Sequence, residues 1–222
     1  MKRQYIFVIL GLAFILFSGI IPSCKKDKNK ININGSVYDP NSKATVSGVT
    51  VTISSSKITN GYYNSNYTDI ATTTTDGSGN FSFEFQKDKS AGYRIYIAKS
   101  NYFDYTLDIP DANIVAGTPY TPKYDIYPVG YIKLHVKDAA PYDSTDFIAY
   151  SYTSGYLSCY ECCTNTTFKG YGKLYDATSK CKTYGNQNII INWHVTKNST
   201  DVAYSYTFFC TPFDTTSYEI LY

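Results

Sequence analysis

The residues whose type and spacing could bind a metal or support a reaction are five cysteines in the second half of the chain: Cys159, Cys162, Cys163, Cys181 and Cys210. Thiolates spaced as in this cluster suit a tetrahedral zinc site. A free thiol beside His135 or His194 would suit a nucleophile paired with a base. The third interpretation is disulfide bonding, the default state of cysteines in an oxidising compartment.

The rest of the sequence favours disulfides over the two chemical alternatives. Both histidines fall on strand positions that face away from the apolar residues, which is typical of surface histidines. No Gly-rich phosphate loop, nucleophile elbow or His-Glu-x-x-His string occurs. We therefore predict no enzyme, no cofactor and no metal. Five cysteines give two bridges and one unpaired thiol. Their connectivity stays open, except that adjacent Cys162 and Cys163 strain a shared bridge.

The beginning of the chain predicts export. Lys2 and Arg3 precede an apolar run over residues 5–21, and residues 25–30 are polar. A charged start, an apolar middle and a small residue before the cut are typical of a secretory signal, here residues 1–23. The alternative is an uncleaved helix, although a membrane-spanning helix usually needs about 20 apolar residues.

The end of this segment, Ile21-Pro22-Ser23-Cys24, resembles the lipobox of a bacterial lipoprotein. The following Lys25-Lys26-Asp27 makes it similar to lipoprotein starts of Bacteroidetes-type bacteria. The resemblance implies cleavage before Cys24, lipid on Cys24 and a polar tether over residues 24–30. It also implies an outer-membrane lipid anchor, on the periplasmic or the cell-surface face. Several acyl chains anchor a protein stably where one does not.

Composition indicates an all-β protein with no nucleic-acid surface. The chain has 25 Tyr and 12 Phe, and charged residues make up 17%. Aromatic and β-branched residues suit pleated, half-buried surfaces. Lys2 and Arg3 precede Cys24, which leaves 18 of the 20 basic residues against 18 acidic residues. A neutral body lacks the clustered positive field that nucleic acids require. We predict two small antiparallel β-sandwich domains after the signal peptide.

The first predicted domain covers residues 31–128. Alternation predicts strands around residues 31–37, 49–54, 81–85, 93–97, 105–109 and 124–128. Asp76-Gly77-Ser78-Gly79-Asn80 is a predicted turn, because Asp76 can accept backbone amides and glycine allows positive φ. The order of these segments, above all Thr75-Asp76 followed by Phe81-Ser82-Phe83, resembles the carboxypeptidase regulatory-like domain. That resemblance implies a transthyretin-like sandwich without catalytic function.

Residues 60–67 are predicted to form a polar loop with three tyrosines, Tyr62, Tyr63 and Tyr67. On a loop, these rings could stack on a sugar while the neighbouring asparagines donate hydrogen bonds. The alternative is that tyrosine simply occupies half-exposed positions in this protein.

The second predicted domain covers residues 129–222 and resembles no family. The pattern predicts strands over residues 131–136 and 147–152 and a hairpin formed by residues 189–196 and 202–208. Residues 155–187 show no pattern and carry four of the five cysteines.

These observations predict a lipid-anchored envelope protein with a non-catalytic binding, adhesive or accessory role. The alternative function is a structural subunit of a surface assembly, which requires an exposed strand edge or apolar patch. The predicted partners are the membrane through lipid on Cys24, and a glycan or another envelope protein.

Overall fold

The structure is a computed structural model that describes residues 29–59, 62–155, 157 and 159–222; for residues 58, 59 and 62–65 the description covers the backbone. This part of the chain is all-β, as predicted. The strands are β1 (Lys30–Asp39), β2 (Ala44–Thr45), β3 (Thr50–Thr59), β4 (Tyr62–Thr74), β5 (Asn80–Gln86), β6 (Ser90–Ala98), β7 (Tyr105–Pro110), β8 (Lys123–Asp125), β9 (Val129–Lys137), β10 (Phe147–Tyr152), β11 (Phe168–Tyr171), β12 (Asp176–Tyr184), β13 (Gln187–Lys197), β14 (Thr200–Cys210) and β15 (Thr215–Leu221). A 3-10 helix covers Asp111–Asn113.

The first hydrophobic core lies between two sheets. Sheet I has the order β2-β1-β5, with β8 also paired to β1, and sheet II has the order β4-β3-β6-β7. Alternate residues of the strands point inward, as the period-2 pattern predicts. The buried set includes Ile31, Ile33, Val51, Ile53, Phe81, Phe83, Ile95 and Ile97.

The predicted turn after β4 is confirmed in its details. The Asp76 Oδ1 atom accepts the backbone amides of Ser78 at 2.9 Å and Asn80 at 2.8 Å. Gly79 has a φ of 76°, a conformation that favours glycine. The carboxylate therefore holds the turn, which returns Phe81 and Phe83 to the core.

The second core lies between sheet III, with the order β11-β10-β13-β14, and sheet IV, with the order β12-β9-β15. The predicted hairpin is confirmed as β13 and β14, which pair without a bulge from Gln187 and Cys210 to Lys197 and Thr200. Asn198 and Ser199 in its turn both have positive φ, as a tight primed hairpin turn requires. The core includes Ile132, Leu134, Ile148, Ile189, Ile191 and Cys210.

Three features differ from the sequence predictions. The expected loop over residues 60–67 is wrong, since β4 begins at Tyr62 and extends the hairpin with β3. The unpatterned residues 155–187 contain β11 and β12. The pattern of β12 is hidden because its inward positions are small or polar, for example Ala177 and Thr183. Finally, β8 with β1 and β15 with β9 pair in parallel.

The two cores meet across a short, aromatic junction around the predicted boundary at residue 128. The ring of Tyr184 stacks on Tyr127 at 4.1 Å and meets the edge of Phe103 at 5.1 Å. Asn41 Nδ2 donates to the Gly185 carbonyl at 3.0 Å, and Asn186 Nδ2 donates to Asp39 Oδ2 at 3.1 Å. Rings and hydrogen bonds therefore join the two halves of the chain, mainly through residues in the loops between their strands.

We expect Tyr184→Ala to loosen this junction. The variant loses two aromatic pairs, each worth about 0.5–1.5 kcal/mol beyond area burial, so unfolding free energy should fall by roughly 1–3 kcal/mol. Proteolysis between residues 126 and 130 should accelerate. Tyr160→Ala is the control, because that side chain is fully exposed. Equal denaturation curves and equal cleavage for both variants would contradict a role for the ring.

Candidate functional site

The cysteines of the candidate cluster form two disulfides, Cys159–Cys162 and Cys163–Cys181, and Cys210 is free. The alternative of a zinc site in this cluster is therefore wrong, because its thiolate ligands are consumed in bridges. The bridged segment also covers a strand edge. Cys163 N donates to the Lys182 carbonyl and Lys182 N donates to the Glu161 carbonyl, each at 2.9 Å, along β12.

Cys210 lies at the end of β14 with no exposed surface and packs in the second core. Burial raises the pKa of its thiol to about 11, so the thiolate that a nucleophile needs is suppressed. The space is tight, because a Cβ added at Gly130 would lie 2.5 Å from the sulfur. The structure assigns this residue to packing, and the thiol-enzyme alternative loses its nucleophile.

The two candidate histidines have carboxylate partners. His135 on β9 bonds Asp176 of β12 through Nε2 at 2.8 Å and Glu219 of β15 through Nδ1 at 2.6 Å. His194 Nδ1 lies 3.2 Å from Asp201. The hydrogen bonds to Asp176 and then Glu219 raise the pKa of His135 above its ordinary value. Protonated His135 therefore ties all three strands of sheet IV together on its outer face.

This arrangement predicts a pH-dependent stability. Because the folded state raises the pKa of His135, its hydrogen bonds contribute fully to the free energy of unfolding at a pH below the ordinary histidine pKa. This contribution is lost as the pH rises through the raised pKa of the folded state. Wild type should exceed His135→Gln in stability at about pH 5.5 and approach it at about pH 9. Lys137, 3.2 Å from Asp176, keeps its own ion pair in both. Urea unfolding across this range measures the difference.

His194→Gln is the matched control for that titration. An NMR titration in which the His135 ring loses its proton at or below the ordinary histidine value would contradict the assignment. A stability advantage that grows with pH would contradict it as well.

The tyrosines of the predicted ligand loop lie on strand β4 rather than on a loop. Tyr67 is packed, since the Arg94 guanidinium lies 4.0 Å from its ring centre. Arg94 also donates to both carboxylate oxygens of Asp108, at 2.6 and 2.8 Å, and so lowers the pKa of Asp108. The side chains of Tyr62 and Tyr63 lie outside the description. Glycan binding by these three residues stays a prediction.

Cys24 and the apolar segment before it lie outside the described residues, so lipid attachment also stays a prediction. Among the residues that are described, no helix has the length and hydrophobicity to cross a membrane.

The second half has one side on which two strand edges are uncovered. In the described chain β14 pairs with β13 alone, and β15 pairs with β9 alone. Tyr204, Tyr206 and Phe208 lie opposite Trp193, Ile191 and Ile189, so they share the inward face of sheet III. Sheet IV is one strand narrower, and Tyr204 and Tyr206 stay 47% and 46% exposed. We call β14, β15 and their inward side chains the open side.

The rings of the open side form a stacked ladder. Tyr218 of β15 stacks on Tyr206 at 4.5 Å and on Phe208 at 5.4 Å, and Trp193 stacks on Tyr204 at 5.5 Å. Because stacked rings support each other, the ladder presents a preformed aromatic surface. At one end it continues into a cavity of about 350 Å³, whose apolar lining includes Val202, Leu221 and Tyr222.

A buried ion pair closes the sandwich beside that cavity. Lys197 Nζ lies 2.5 Å from Asp138 Oδ1 and donates to the Ala140 carbonyl at 2.7 Å. Asp146, also fully buried, accepts the Tyr142 amide at 2.6 Å. These carboxylates could not be predicted from the sequence, because they lie in a polar stretch that is typical of a surface turn. Breaking such a pair leaves a buried charge, which costs about 3–5 kcal/mol.

The comparison with protein families gives no match, and neither does the comparison with curated protein sequences. Among solved structures, the chain is similar to the Bacillus anthracis TIE protein, with a TM-score of 0.36, 12% identity, 87% of this chain and 34% of that one. It therefore spans about a third of that protein. A variant of the shaft pilin SpaA from Lactobacillus rhamnosus GG gives a TM-score of 0.33, 13% identity, 86% of this chain and 97% of that one.

The major pilin subunit BcpA of Bacillus cereus gives a TM-score of 0.33, 8% identity, 79% of this chain and 67% of that one. Scores at this level establish no shared function.

Proposed function

We propose that the protein is a lipid-anchored envelope protein that acts as a structural subunit of a surface assembly, without catalysis. The observation that carries the proposal is the open side, where two unpaired strand edges adjoin an exposed aromatic ladder. Unpaired edges template pairing with another chain, and natural proteins usually cover or charge them. Residues 202–210 of the β14 edge carry no charge, and this open, uncharged stretch supports a docking role.

The geometry of the open side suits an extended protein segment better than a compact ligand. A strand edge offers main-chain donors and acceptors, and the neighbouring rings receive alternate side chains of an added strand. β14 extends for 11 residues, about 37 Å at the usual rise per residue. An extended strand of a partner protein matches the length of this surface.

The rest of the chain is suited to holding that surface away from the membrane. The N-terminal segment is the proposed anchor, with lipid on Cys24 and a polar tether over residues 24–30. The first sandwich, with its resemblance to the carboxypeptidase regulatory-like domain, is the proposed spacer. The rings around Tyr184 join it to the second sandwich, which limits independent movement of the two halves.

We expect Tyr206→Ser to weaken incorporation into high-mass envelope complexes by about tenfold or more, since the loss of a central interface ring typically costs 2 kcal/mol or more. Native electrophoresis of cross-linked membranes measures this change. Tyr171→Ser is the matched control, because Tyr171 is an exposed tyrosine on β11, at the opposite edge of sheet III from β14. Circular dichroism verifies that both variants fold. Complexes that are equally abundant in both variants would contradict the proposal.

Lipid anchoring has its own test. Cys24→Ser should abolish labelling with radioactive palmitate and leave the precursor uncut, because processing of a lipoprotein signal requires the acylated cysteine. An uncleaved helix predicts instead that both forms keep residues 1–23. Wild-type protein that retains this segment and takes up no fatty acid would refute the anchor.

A further inference from the structure

We propose that the partner of the open side is a second copy of this chain, joined by antiparallel pairing of β14 with its symmetry mate across a two-fold axis. This inference rests on the proposed function and identifies the partner. Homodimers with two-fold symmetry use the same patch on both subunits, so the patch must be complementary to itself. The β14 edge has this property.

β14 differs from the other described edge strands in length, regularity and charge. It spans 11 residues, and its pairing with β13 shows no register shift. The nine residues 202–210 carry no charge and no proline. β4 is longer, but its pairing with β3 is interrupted by two register shifts. Bulges, charges and short length are the devices that keep edges from pairing.

The remaining edge strands are short, charged or covered, and these features prevent pairing. β11 has 4 residues and β7 has 6, and the latter contains Asp108 and ends at Pro110. Glu84 lies on β5 and Glu219 on β15. β12 carries Lys180 and Lys182 and is further covered by the disulfide-bonded segment. In the described chain β14 therefore stands out as a long, regular edge that lacks such protection.

The charges of β14 permit self-pairing. Asp201, at one end, is its charged residue, and it is held by the Thr196 hydroxyl at 2.8 Å and by His194 at 3.2 Å. In an antiparallel pair the two ends of the strand lie opposite each other. Around an axis at Ser205, Asp201 would face Phe209 of the second copy rather than another carboxylate. Like charges directly opposite, which destabilise a sheet, are thereby avoided.

The side chains of β14 also fit a copy of themselves. Around the same axis Tyr204 would lie beside Tyr206 of the second copy, and both would extend the ladder that now ends at the edge. Aromatic cross-strand pairs contribute roughly 0.2–1 kcal/mol each relative to alanine pairs. The Thr216 hydroxyl already donates to the Phe209 carbonyl at 3.4 Å, so pairing around Ser205 would extend over residues 202–208 of each copy. Pairing would merge two four-stranded sheets into one of eight strands.

Photo-crosslinking tests the identity of the partner in the full chain. We expect benzoylphenylalanine at position 205 to yield a chain-to-chain adduct in membranes, with the crosslinked peptide from β14 identified by mass spectrometry. An adduct with a different protein would overturn the second-copy proposal while supporting the assembly role. The absence of any adduct would overturn both. The two proposals thus fail in distinguishable ways.

An edge-blocking variant measures the contribution of the strand. Ser205→Lys places a lysine on the exposed face of β14, where two lysines would meet across the axis. We expect at least a tenfold increase in the dimer dissociation constant, measured by light scattering on the full chain in mild detergent. Ser82→Lys is the matched control, since Ser82 is an exposed serine on edge strand β5. A monomeric wild type, or equal dissociation constants for both variants, would overturn the proposal.

Discussion

The second half of the molecule depends on the packing of a four-stranded sheet against a three-stranded one. Three strands cover the inward faces of β10 and β13 and bury residues such as Ile148 and Ile191. On the fourth strand, β14, Phe208 and Cys210 are buried at one end, whereas Tyr204 and Tyr206 stay exposed. Tyr204 and Tyr206 on the inward face of β14 therefore have no strand of sheet IV packed over them. A closed sandwich would bury this surface, and its removal from water would be favourable.

The same mismatch explains why the rings stack on each other. Tyr218 stands on β15, the last strand of the narrower sheet, and its ring bridges to Tyr206 and Phe208 on the wider one. The ladder thus replaces the missing strand with side chains and holds the two sheets at their open margin. At the opposite margin, the edge of β12 is closed by main-chain bonds from the cysteine-rich segment. The two margins of one sandwich are therefore built differently.

The sequence predicted those elements in which burial alternates strongly. The β13–β14 hairpin, β5 and the turn at Asp76 follow directly from hydrophobic alternation and turn chemistry. It failed for β4 and β12, because small or polar residues such as Ala71 and Ala177 occupy their inward positions and hide the alternation. The exposed rings were visible as Tyr204 and Tyr206 on alternating positions. Their exposure was not predictable, since it depends on the number of strands in the opposite sheet. The buried carboxylates were hidden for a related reason, because only the folded chain brings Lys197 to Asp138.

The disulfide-bonded segment also has a consequence for biogenesis. The disulfide Cys163–Cys181 fixes this segment to β12. Such a disulfide does not persist in the cytosol, where thiols stay reduced. A chain that folded with reduced thiols would therefore hold β12 as a second open margin, opposite the open margin of β14. Formation of the disulfide closes the β12 margin and leaves the β14 margin open. The bridge therefore limits edge-to-edge pairing to the side of β14, whereas a reduced chain would be able to pair at either margin.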